Sequence, residues 1–408
     1  MMGLHNTCVP NIEVVIAKTH DIRMKCAFVT ILLLSMSTVG LSQSFREMFI
    51  DTTDNALDAS KWLSTVTGFV PLLMPITEPA VGYGLGAGGV FFHPNEYRAA
   101  VKEGKLNSRV GELISPTPPS ISGLGGFYTD NGSWAAGLGH LSIFKRDRIR
   151  YKVGIGGGSI NLDYYGKGIF EERSRRFNTR TLGITNEVVF RLFDTDWWAG
   201  VGYSFAILKI DFEKRFEWIG EDLTHKETRN GALLPSIAYD NRDNIFTPNK
   251  GIRWYLQYGY HDKWLGGTET YHSLNTYIFG YLPLAPGHVS AIRVDSRSVF
   301  GDPTFIYRPF LVMRGLPVMK YQDNNATLVE LEQRSAVYKR WSLVLFGGLG
   351  KTYSSINDFL EEDLVYSYGT GFRYLLARKF GMHMGLDFAW GPEDFAFYVT
   401  LGSGWFRL

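Results

Sequence analysis

The residues best suited to nucleophilic chemistry are a histidine and a serine two positions apart, His140 and Ser142. On an extended strand they share one face, and a serine hydrolase needs a base beside its hydroxyl, held by a third polar group. A pair at this spacing is common by chance, so we predict no enzyme. The nine histidines include no close pair at metal-ligand spacing, so no metal site and no cofactor is predicted.

A different chemistry is suggested by Arg314-Gly315, which lies among apolar residues (Phe310 to Met313, then Leu316 and Pro317). The connection that holds it, Gly301 to Asn325, is too long for a tight turn, and long connections without structure are usually functional or disordered. An exposed loop has little reason to carry so apolar a run. A desolvated guanidinium also needs a carboxylate partner. We therefore predict that this loop folds into the interior of the protein.

The composition indicates which elements position these residues. The 408 residues include 45 glycines, 15% aromatic residues and 20% charged residues, and the mean hydropathy is −0.08. A helical membrane protein would score well above zero, and a disordered chain would lack the aromatic residues. The net charge of +2 is too small to indicate nucleic acid as a partner.

The amino-terminal residues are typical of an exported protein. Lys25 precedes an apolar run, Phe28 to Leu41, and small residues at Gly40 and Ser42 fit a cleavage site. We expect residues 1–23 to be an over-extended start, 24–42 a signal peptide, 43–67 a periplasmic lead-in and 68–408 one β-barrel domain. The cysteines, Cys8 and Cys26, fall before the cleavage site, which excludes a disulfide framework.

Alternation of side-chain character predicts strands. In Gly251 to Tyr260 the even positions are apolar and the odd positions mixed, and charges such as Arg253 and Arg293 sit inside apolar strands. A charge facing lipid costs roughly 2–4 kcal/mol, so these side chains would face a wet lumen. Periodicity alone also fits a secreted sandwich, but the aromatic content, the strand lengths and the signal peptide favour a transmembrane antiparallel β-barrel.

We predict fifteen strands near residues 80–92, 119–129, 133–144, 150–160, 177–192, 197–212, 231–240, 251–262, 268–281, 288–300, 326–338, 341–352, 364–376, 381–390 and 394–405. Bacterial barrels usually have an even number of strands. We therefore expect an all-β barrel of sixteen strands with a lumen-folded loop, and the missing strand within 64–76 or the polar stretch 213–230.

At these residues the chain resembles the barrel domain of the BamA/TamA superfamily of bacterial surface antigens. The motifs that carry the resemblance come in the family's order: Val312-Met313-Arg314-Gly315-Leu316, Glu330-Leu331-Glu332-Gln333-Arg334, Leu343 to Tyr353, Gly369 to Tyr374, and Leu386-Asp387. Looser matches are Asp240 to Gly251, Tyr164 to Gly168, and Glu78-Pro79 with the following glycines. Gly348 stands where the family has an acid.

The resemblance implies that the loop arginine pairs with acids on the inner wall. With the usual acid replaced at Gly348, the candidate partners of Arg314 are Asp387, Glu332 and Glu330. The bond would act as a latch that holds the loop inside and closes the pore, or it would only brace the fold. The small face formed by Gly82, Gly84, Gly86 and Gly88 resembles the family's glycine-rich first strand. It would form a soft seam against the last strand or pack closely against the loop.

The resemblance implies an outer-membrane protein of a Gram-negative bacterium that aids outer-membrane protein biogenesis or export. Only about 25 to 30 residues separate the signal peptide from the first strand, so we expect a short member without the family's POTRA repeats. A gated or plugged diffusion channel is the alternative, and a barrel-embedded hydrolase is a third. The expected surroundings are the lipid bilayer and periplasmic or outer-membrane partner proteins.

Overall fold

The computed structural model describes residues 48–65, 68–93, 120–145, 147–165, 175–213 and 225–405. The chain divides into two units, Met1–Leu57 and Asp58–Leu408. The described part of the first unit is a short turn closed by an antiparallel bridge between Ile50 and Leu57. The expected start extension, the signal peptide and both cysteines lie outside the described residues.

In its described residues, the second unit contains one short α-helix, four short 3-10 helices within the connections and a single antiparallel sheet. The helix, α1, is Ser60–Thr65, and the strands are β1 Gly68–Glu78, β2 Gly82–Phe92, β3 Ile121–Thr129, β4 Trp134–Phe144, β5 Ile149–Tyr164, β6 Arg175–Arg191, β7 Trp197–Phe212, β8 His225–Asp240, β9 Gly251–His261, β10 Tyr271–Ala285, β11 His288–Phe300, β12 Asn325–Tyr338, β13 Trp341–Tyr353, β14 Val365–Ala377, β15 Met382–Trp390 and β16 Phe395–Leu401. In the part of the chain that is described, no helix is both long and apolar enough to cross a membrane.

Each strand pairs with its neighbours in sequence order, and the sheet curls into a nearly closed barrel. The predicted all-β barrel of sixteen strands is therefore confirmed. β1 lies in one of the two places expected for the missing strand. At the closure, the Thr77 hydroxyl donates to the Phe397 carbonyl oxygen, but no ladder of backbone hydrogen bonds joins β1 to β16 within the described strands.

Three strands depart clearly from their predicted lengths, and one of them, β5, ends at Tyr164, four residues after the predicted end at 160. β8 begins six residues before the predicted start at 231, because polar residues from His225 onward continue the ladder with β7. β16 ends at Leu401, four residues before the predicted end at 405. There Gly402 takes a positive φ of 87° and turns the chain inward, where its N–H donates to the His383 carbonyl oxygen.

The two faces of the barrel wall differ in character. Along β12, Glu330 and Glu332 are buried toward the lumen while Val329 and Leu331 are exposed on the outside. Along β9, Arg253 points inward and Ile252 and its even-numbered neighbours point outward, as the alternation predicts. A wall with an apolar outside and a charged inside is what a strand facing lipid on one side and a lumen on the other requires.

Exposed aromatic side chains mark two levels on the outer face. We call the end where β1 begins and β16 ends the terminal end, and the opposite end the loop end. On β4, Trp134 lies near the loop end and Phe144 near the terminal end. The ten positions between them correspond to roughly 25 Å in height at a tilt of about 45°. This is the height of the apolar band of an outer-membrane barrel.

The inner wall of β2 to β5 is lined by glycine. Large outward side chains, such as Tyr83, Leu124 and Leu138, fix the opposite positions as inward. These inward positions are Gly82, Gly84, Gly86, Gly88, Gly123, Gly125, Gly137, Gly139, Gly154, Gly156 and Gly158. At these eleven positions, spread over four adjacent strands, the wall therefore presents no side chain to the lumen.

The expectation of a glycine-rich first strand is wrong, since Gly82 to Gly88 belong to β2. That strand pairs with β1 on one side and β3 on the other, so it does not meet the last strand. Close packing against the loop is also not observed. A Cβ at Gly84 would meet the Tyr128 carbonyl oxygen at 2.2 Å, and one at Gly88 the Leu124 carbonyl oxygen at 2.4 Å. These glycines allow the backbones of β2 and β3 to approach each other.

The connection between β11 and β12 folds into the loop end of the lumen. Its side chains Leu311, Met313, Leu316 and Met319 are buried. Phe305 reaches the far wall, where its ring lies 4.7 Å from Tyr164 of β5, 5.5 Å from Phe177 of β6 and 5.9 Å from Phe212 of β7. The loop thus crosses the lumen and packs on both walls.

Candidate functional site

Arg314 lies at the tip of a hairpin formed by the lumen loop. The Leu311 N–H donates to the Tyr321 carbonyl oxygen, and the Leu316 N–H donates to the Met313 carbonyl oxygen. Gly315 has a φ of 87°, which suits the third position of a type II turn and favours glycine there. The Arg-Gly pair is therefore a turn sequence that presents one guanidinium at the end of a buried hairpin.

The Arg314 guanidinium meets three carboxylates of the inner wall. Its Nη1 donates to Asp387 Oδ2 over 2.8 Å, its Nη2 lies 2.9 Å from Glu332 Oε2, and its Nε lies 3.9 Å from Glu330 Oε1. Only the contact with Asp387 has hydrogen-bond geometry. The structure thus brings together all three of the acids that the sequence offered as partners.

The surroundings of Arg314 favour the charged form. Burial alone would lower its pKa, but the charges of Glu332, Glu330 and Asp387 outweigh burial and raise the pKa above its ordinary value. The guanidinium also stacks on Phe346 of β13, with 3.6 Å between its central carbon and the ring centroid. A permanently charged group between acids and an aromatic face is held as a fixed ion pair.

Other arginines join these acids to neighbouring strands. Arg373 of β14 grips Asp387 with two hydrogen bonds of 2.5 and 2.9 Å. Arg293 of β11 donates to Glu330 over 2.6 Å and to Asp295 over 2.9 Å. Because Asp387 and Glu330 each have a second arginine, Glu332 depends most on Arg314.

The position of Gly348 explains how the network forms without an acid there. A Cβ at Gly348 would lie 2.6 Å from Cγ of Glu330 and 3.0 Å from the sulfur of Met313. Glu330, on the adjacent strand, and the loop itself therefore fill the space of a side chain at 348. The carboxylate of Glu330 supplies the charge from β12.

The loop tip is also fastened next to the closure of the barrel. The Gly315 N–H donates to the Tyr398 hydroxyl of β16 over 2.9 Å. Lys320 forms ion pairs with Glu393 and Asp394 in the turn between β15 and β16. One loop thus contacts β12, β15 and β16.

Sequence reasoning missed four residues of this site, which are Phe346, Arg373, Tyr398 and Lys320. A signal existed for Arg373, since a charge within an apolar strand is expected to face the lumen. Phe346 and Tyr398 carried no such signal, because aromatic residues occur on both faces of the wall. Their roles depend on register, which only the folded sheet defines.

His140 and Ser142 do form a hydrogen bond, of 2.7 Å between Nε2 and Oγ. The His140 Nδ1 lies 2.8 Å from Ser122 Oγ, and the same hydroxyl lies 2.8 Å from His93 Nε2. All four side chains lie on the outer face, level with the outward residues of β2 to β4, and not at the lumen site. Groups of acids, histidines or cysteines able to hold a metal are absent from the described residues.

Known proteins with similar sequences or structures are also β-barrels. Residues 140–302 match the model of the Omp85 superfamily domain. The resemblance to the barrels of the BamA/TamA superfamily is thereby confirmed. None of the curated proteins compared with the chain matches it.

Solved structures share the fold at low identity. BamA from Haemophilus ducreyi lacking POTRA domains 1–3 is 13% identical with a TM-score of 0.54, over 83% of this chain and 70% of that chain. CdiB from Acinetobacter baumannii is 8% identical with a TM-score of 0.50, over 82% and 59% of the two chains. CdiB from Escherichia coli is 8% identical with a TM-score of 0.55, over 82% and 63%. These likenesses establish the fold alone, and the chain spans less than two thirds of either CdiB.

Proposed function

We propose that this chain, whose residues 140–302 match the Omp85 superfamily domain, is an outer-membrane barrel of a Gram-negative bacterium that helps other proteins to assemble in or cross that membrane. The observation that carries the proposal is the buried contact of Arg314 with Asp387, Glu332 and Glu330. It ties a lumen-filling hairpin to the strands beside the closure.

In this proposal the hairpin is a latch. While Arg314 stays on its acids, the loop occupies the loop end of the lumen and braces β15 and β16 through Tyr398 and Lys320. Release of the tip would free the lumen and the last two strands together. A client chain could then use the softened closure, where the described part of β1 and β16 has no ladder.

The experiment is complementation of a strain that lacks the protein. Outer membranes are compared by quantitative proteomics after expression of the wild type, of Arg314→Ala, or of Arg308→Ala. Arg308 is a matched control, because it lies in the same loop but pairs with the exposed Asp302. We expect loss of the protein to deplete a set of outer-membrane or exported proteins, and Arg308→Ala but not Arg314→Ala to restore them. An unchanged proteome in the deletion strain would refute the assembly role.

Partner proteins belong to the same proposal. The intact barrel, purified from outer membranes with a carboxyl-terminal tag, is expected to bring down a periplasmic or outer-membrane subunit reproducibly. A second tagged barrel of similar abundance serves as the control for non-specific capture. Repeated absence of any specific subunit would favour the channel described next.

A plugged diffusion channel is the second candidate, and a cavity in the inner wall favours it. This small cavity is partly open to solvent and is lined by charged and polar residues that include Arg150, Lys152, Glu187, Asp240 and Arg253. Planar bilayers separate the two roles. If the plug leaves a path for solutes, the channel gives steady conductance in the wild type that does not depend on release of the loop, whereas a latched barrel conducts only after Arg314→Ala releases the loop.

A further inference from the structure

The outer face of β2 to β4 carries a chain of polar side chains where an apolar surface is required. His93, Ser122, His140 and Ser142 follow one another through hydrogen bonds of 2.8, 2.8 and 2.7 Å. Strand register places Ser122 directly beside His140 and beside Phe91. The rings of His93 and His140 also touch edge to face, 5.2 Å apart.

These residues lie at the level of the terminal-end aromatic side chains. The exposed Phe91 shares their row, and Phe144 follows Ser142 on the same face of β4. Tyr151 is the cross-strand neighbour of Ser142. Aromatic girdles of outer-membrane barrels sit at the boundary between acyl chains and headgroups. The polar chain therefore faces the headgroup layer of the membrane leaflet at the terminal end.

The hydrogen-bond chain always has one donor left over. With neutral rings, the hydroxyl of Ser122 donates to one ring nitrogen and accepts from the other. If the chain runs from His93 to Ser142, the Ser142 O–H is left over. If it runs the other way, the His93 Nδ1–H is left over. In either direction, one end of this hydrogen-bond chain keeps a donor that has no acceptor among the contacts of the described residues. That donor is available to a molecule outside the chain of side chains.

The adjacent surface suits acyl chains and a negative charge. Toward the membrane centre lie Leu124 and Leu138, then a row of small residues, Ala87, Gly126 and Ala136, that are direct cross-strand neighbours. This row forms a shallow depression between larger side chains. On the other side, the turn after β4 continues with the exposed Lys145, while the exposed Arg148 of the same turn pairs with Asp194.

We infer that this patch binds the phosphate of a membrane phospholipid, with the headgroup on the His93–Ser122–His140–Ser142 chain and the acyl chains over Leu124, Leu138 and the small residues. The remaining hydrogen-bond donor and the exposed Lys145 favour an anionic acceptor, and the apolar surface favours a lipid over a soluble phosphate. The inference is independent of the lumen latch, because none of its residues faces the lumen.

The test is native mass spectrometry of the full chain in mild detergent. The protein is offered phosphatidylglycerol and diacylglycerol with identical acyl chains. We expect phosphatidylglycerol to remain bound and diacylglycerol not to. The double variant His93→Phe with His140→Phe should reduce phosphatidylglycerol occupancy at least about tenfold, because it breaks the hydrogen-bond chain to the phosphate and hydrogen bonds to a charged group are the strong ones.

The matched control is His272→Phe. His272 is also an outer-face histidine, near the loop end of β10, and it bonds only to the Tyr258 hydroxyl at 2.7 Å among the contacts described. This variant should bind phosphatidylglycerol as the wild type does. Phenylalanine on a lipid-facing wall favours folding, and a heat-modifiability gel verifies that each barrel is folded.

Several results would overturn the inference. Equal retention of diacylglycerol would show that the phosphate is not recognised, and unchanged binding in the double variant would place the lipid elsewhere. Displacement of the lipid by inorganic phosphate alone would indicate a site for soluble phosphate. Fatty acid release that disappears in Ser142→Ala would make the patch a hydrolase in place of a binding site.

Discussion

At the residue scale, the central feature is one guanidinium shared by acids from two strands. Arg314 binds Asp387 of β15 and lies against Glu332 and Glu330 of β12. If Arg314 is replaced, Asp387 still has its ion pair with Arg373, and Glu330 still has its ion pair with Arg293. Glu332 has no such second ion pair in the described part of the wall. The effect of losing Arg314 is therefore expected to concentrate on Glu332.

The first prediction concerns Arg314→Ala. It leaves Glu332 as a buried charge without its cation, which costs about 3–5 kcal/mol. Release of the hairpin lowers this free-energy cost, because water can then reach the Glu332 carboxylate. Trypsin digestion of the folded barrel should then cleave the 301–324 loop, which is protected in the wild type.

A double variant checks the reason for this effect. Arg314→Ala combined with Glu332→Gln removes the orphan charge, so protection of the loop should partly return. Arg308→Ala, in the same loop, should change protection very little because its ion pair is exposed. If Arg308→Ala opened the loop as readily as Arg314→Ala, the role of the three acids would be disproved.

The second prediction concerns Gly315→Ala. The φ of 87° costs an alanine about 1–2 kcal/mol, and its Cβ would lie 3.1 Å from the backbone nitrogen of Gly391. We expect loosening of the loop by the trypsin assay with Arg314 still present. Gly347→Ala is the control, since its Cβ would meet nothing closer than 3.7 Å; a similar loss of protection there would point to a general effect of glycine replacement.

At the element scale, α1 is anchored to the terminal end of the barrel. The Asp58 carboxylate accepts a 2.8 Å hydrogen bond from Arg340 in the turn between β12 and β13. The Ala59 N–H donates to the Leu376 carbonyl oxygen, and the Lys379 N–H donates to the Ser60 hydroxyl. Ala59 also packs with Ala377 and Met382. A helix of six residues is too short to be stable alone, so these contacts hold it in place.

The third prediction is a pH dependence of this anchor. Burial alone would raise the pKa of Asp58, but hydrogen bonds from Ser60 and the Arg340 guanidinium outweigh burial and lower it below 3.8. The unfolded form therefore binds more protons in acid. The stabilisation is complete above the ordinary value and is lost as the pH falls through the lowered pKa.

Melting curves of the wild type and Asp58→Asn from pH 7 to pH 3 measure this difference. The two proteins should differ most at neutral pH and converge in acid. Asp302→Asn, which removes an exposed acid, should follow the wild type throughout. A gap between wild type and Asp58→Asn that widened toward low pH would contradict the assignment.

The strands themselves were largely predictable, and the reasons are physical. The predicted bounds of β7 and β11 agree with the structure to the residue, because polar turn residues such as Asp194 to Asp196 interrupt the β-prone segments. Alternation failed for β1, where Phe69 and the run from Pro71 to Pro75 are all exposed and no alternation exists. It also misplaced the glycine-rich strand as the first, because the strand before it had been missed.

At the scale of the whole molecule, the closure is the least paired part of the wall. The described contact there is a single hydrogen bond from the Thr77 hydroxyl to Phe397, while every other neighbouring pair of strands has a ladder. The lumen hairpin lies beside this closure through Tyr398. A role in assembly would require the closure to open, whereas a plugged channel would not.

The fourth prediction uses this difference. Thr77→Cys with Phe397→Cys, joined by a short bifunctional thiol reagent, should abolish complementation of the deletion strain while leaving a folded barrel. The pair Thr370→Cys with Phe388→Cys joins strands already in register, so its crosslink should be harmless. Full activity of the barrel crosslinked at 77 and 397 would favour the channel.

Arg314 and its three acidic partners could be predicted from the sequence, but the geometry of the candidate site could not. The apolar run around Arg314 predicted a buried loop, and the resemblance to a family supplied the acids. That all three acids meet one guanidinium follows from β12 and β15 lying on either side of the hairpin tip, which local sequence does not encode. The anchors Tyr398 and Lys320 depend on how the hairpin folds back, which is a property of the closed barrel.

The glycine-lined wall of β2 to β5 has a mechanical consequence. The buried ion pairs of Arg293 and Arg373 and the lumen hairpin stiffen the strands from β11 to β15, whereas the glycine positions of β2 to β5 offer no side chain to brace the wall. Under lateral pressure from the bilayer, the curvature of the barrel wall should therefore change first along β2 to β5. The barrel would then change shape by bending on the side of the closure where β1 lies, since β2 is the neighbour of β1.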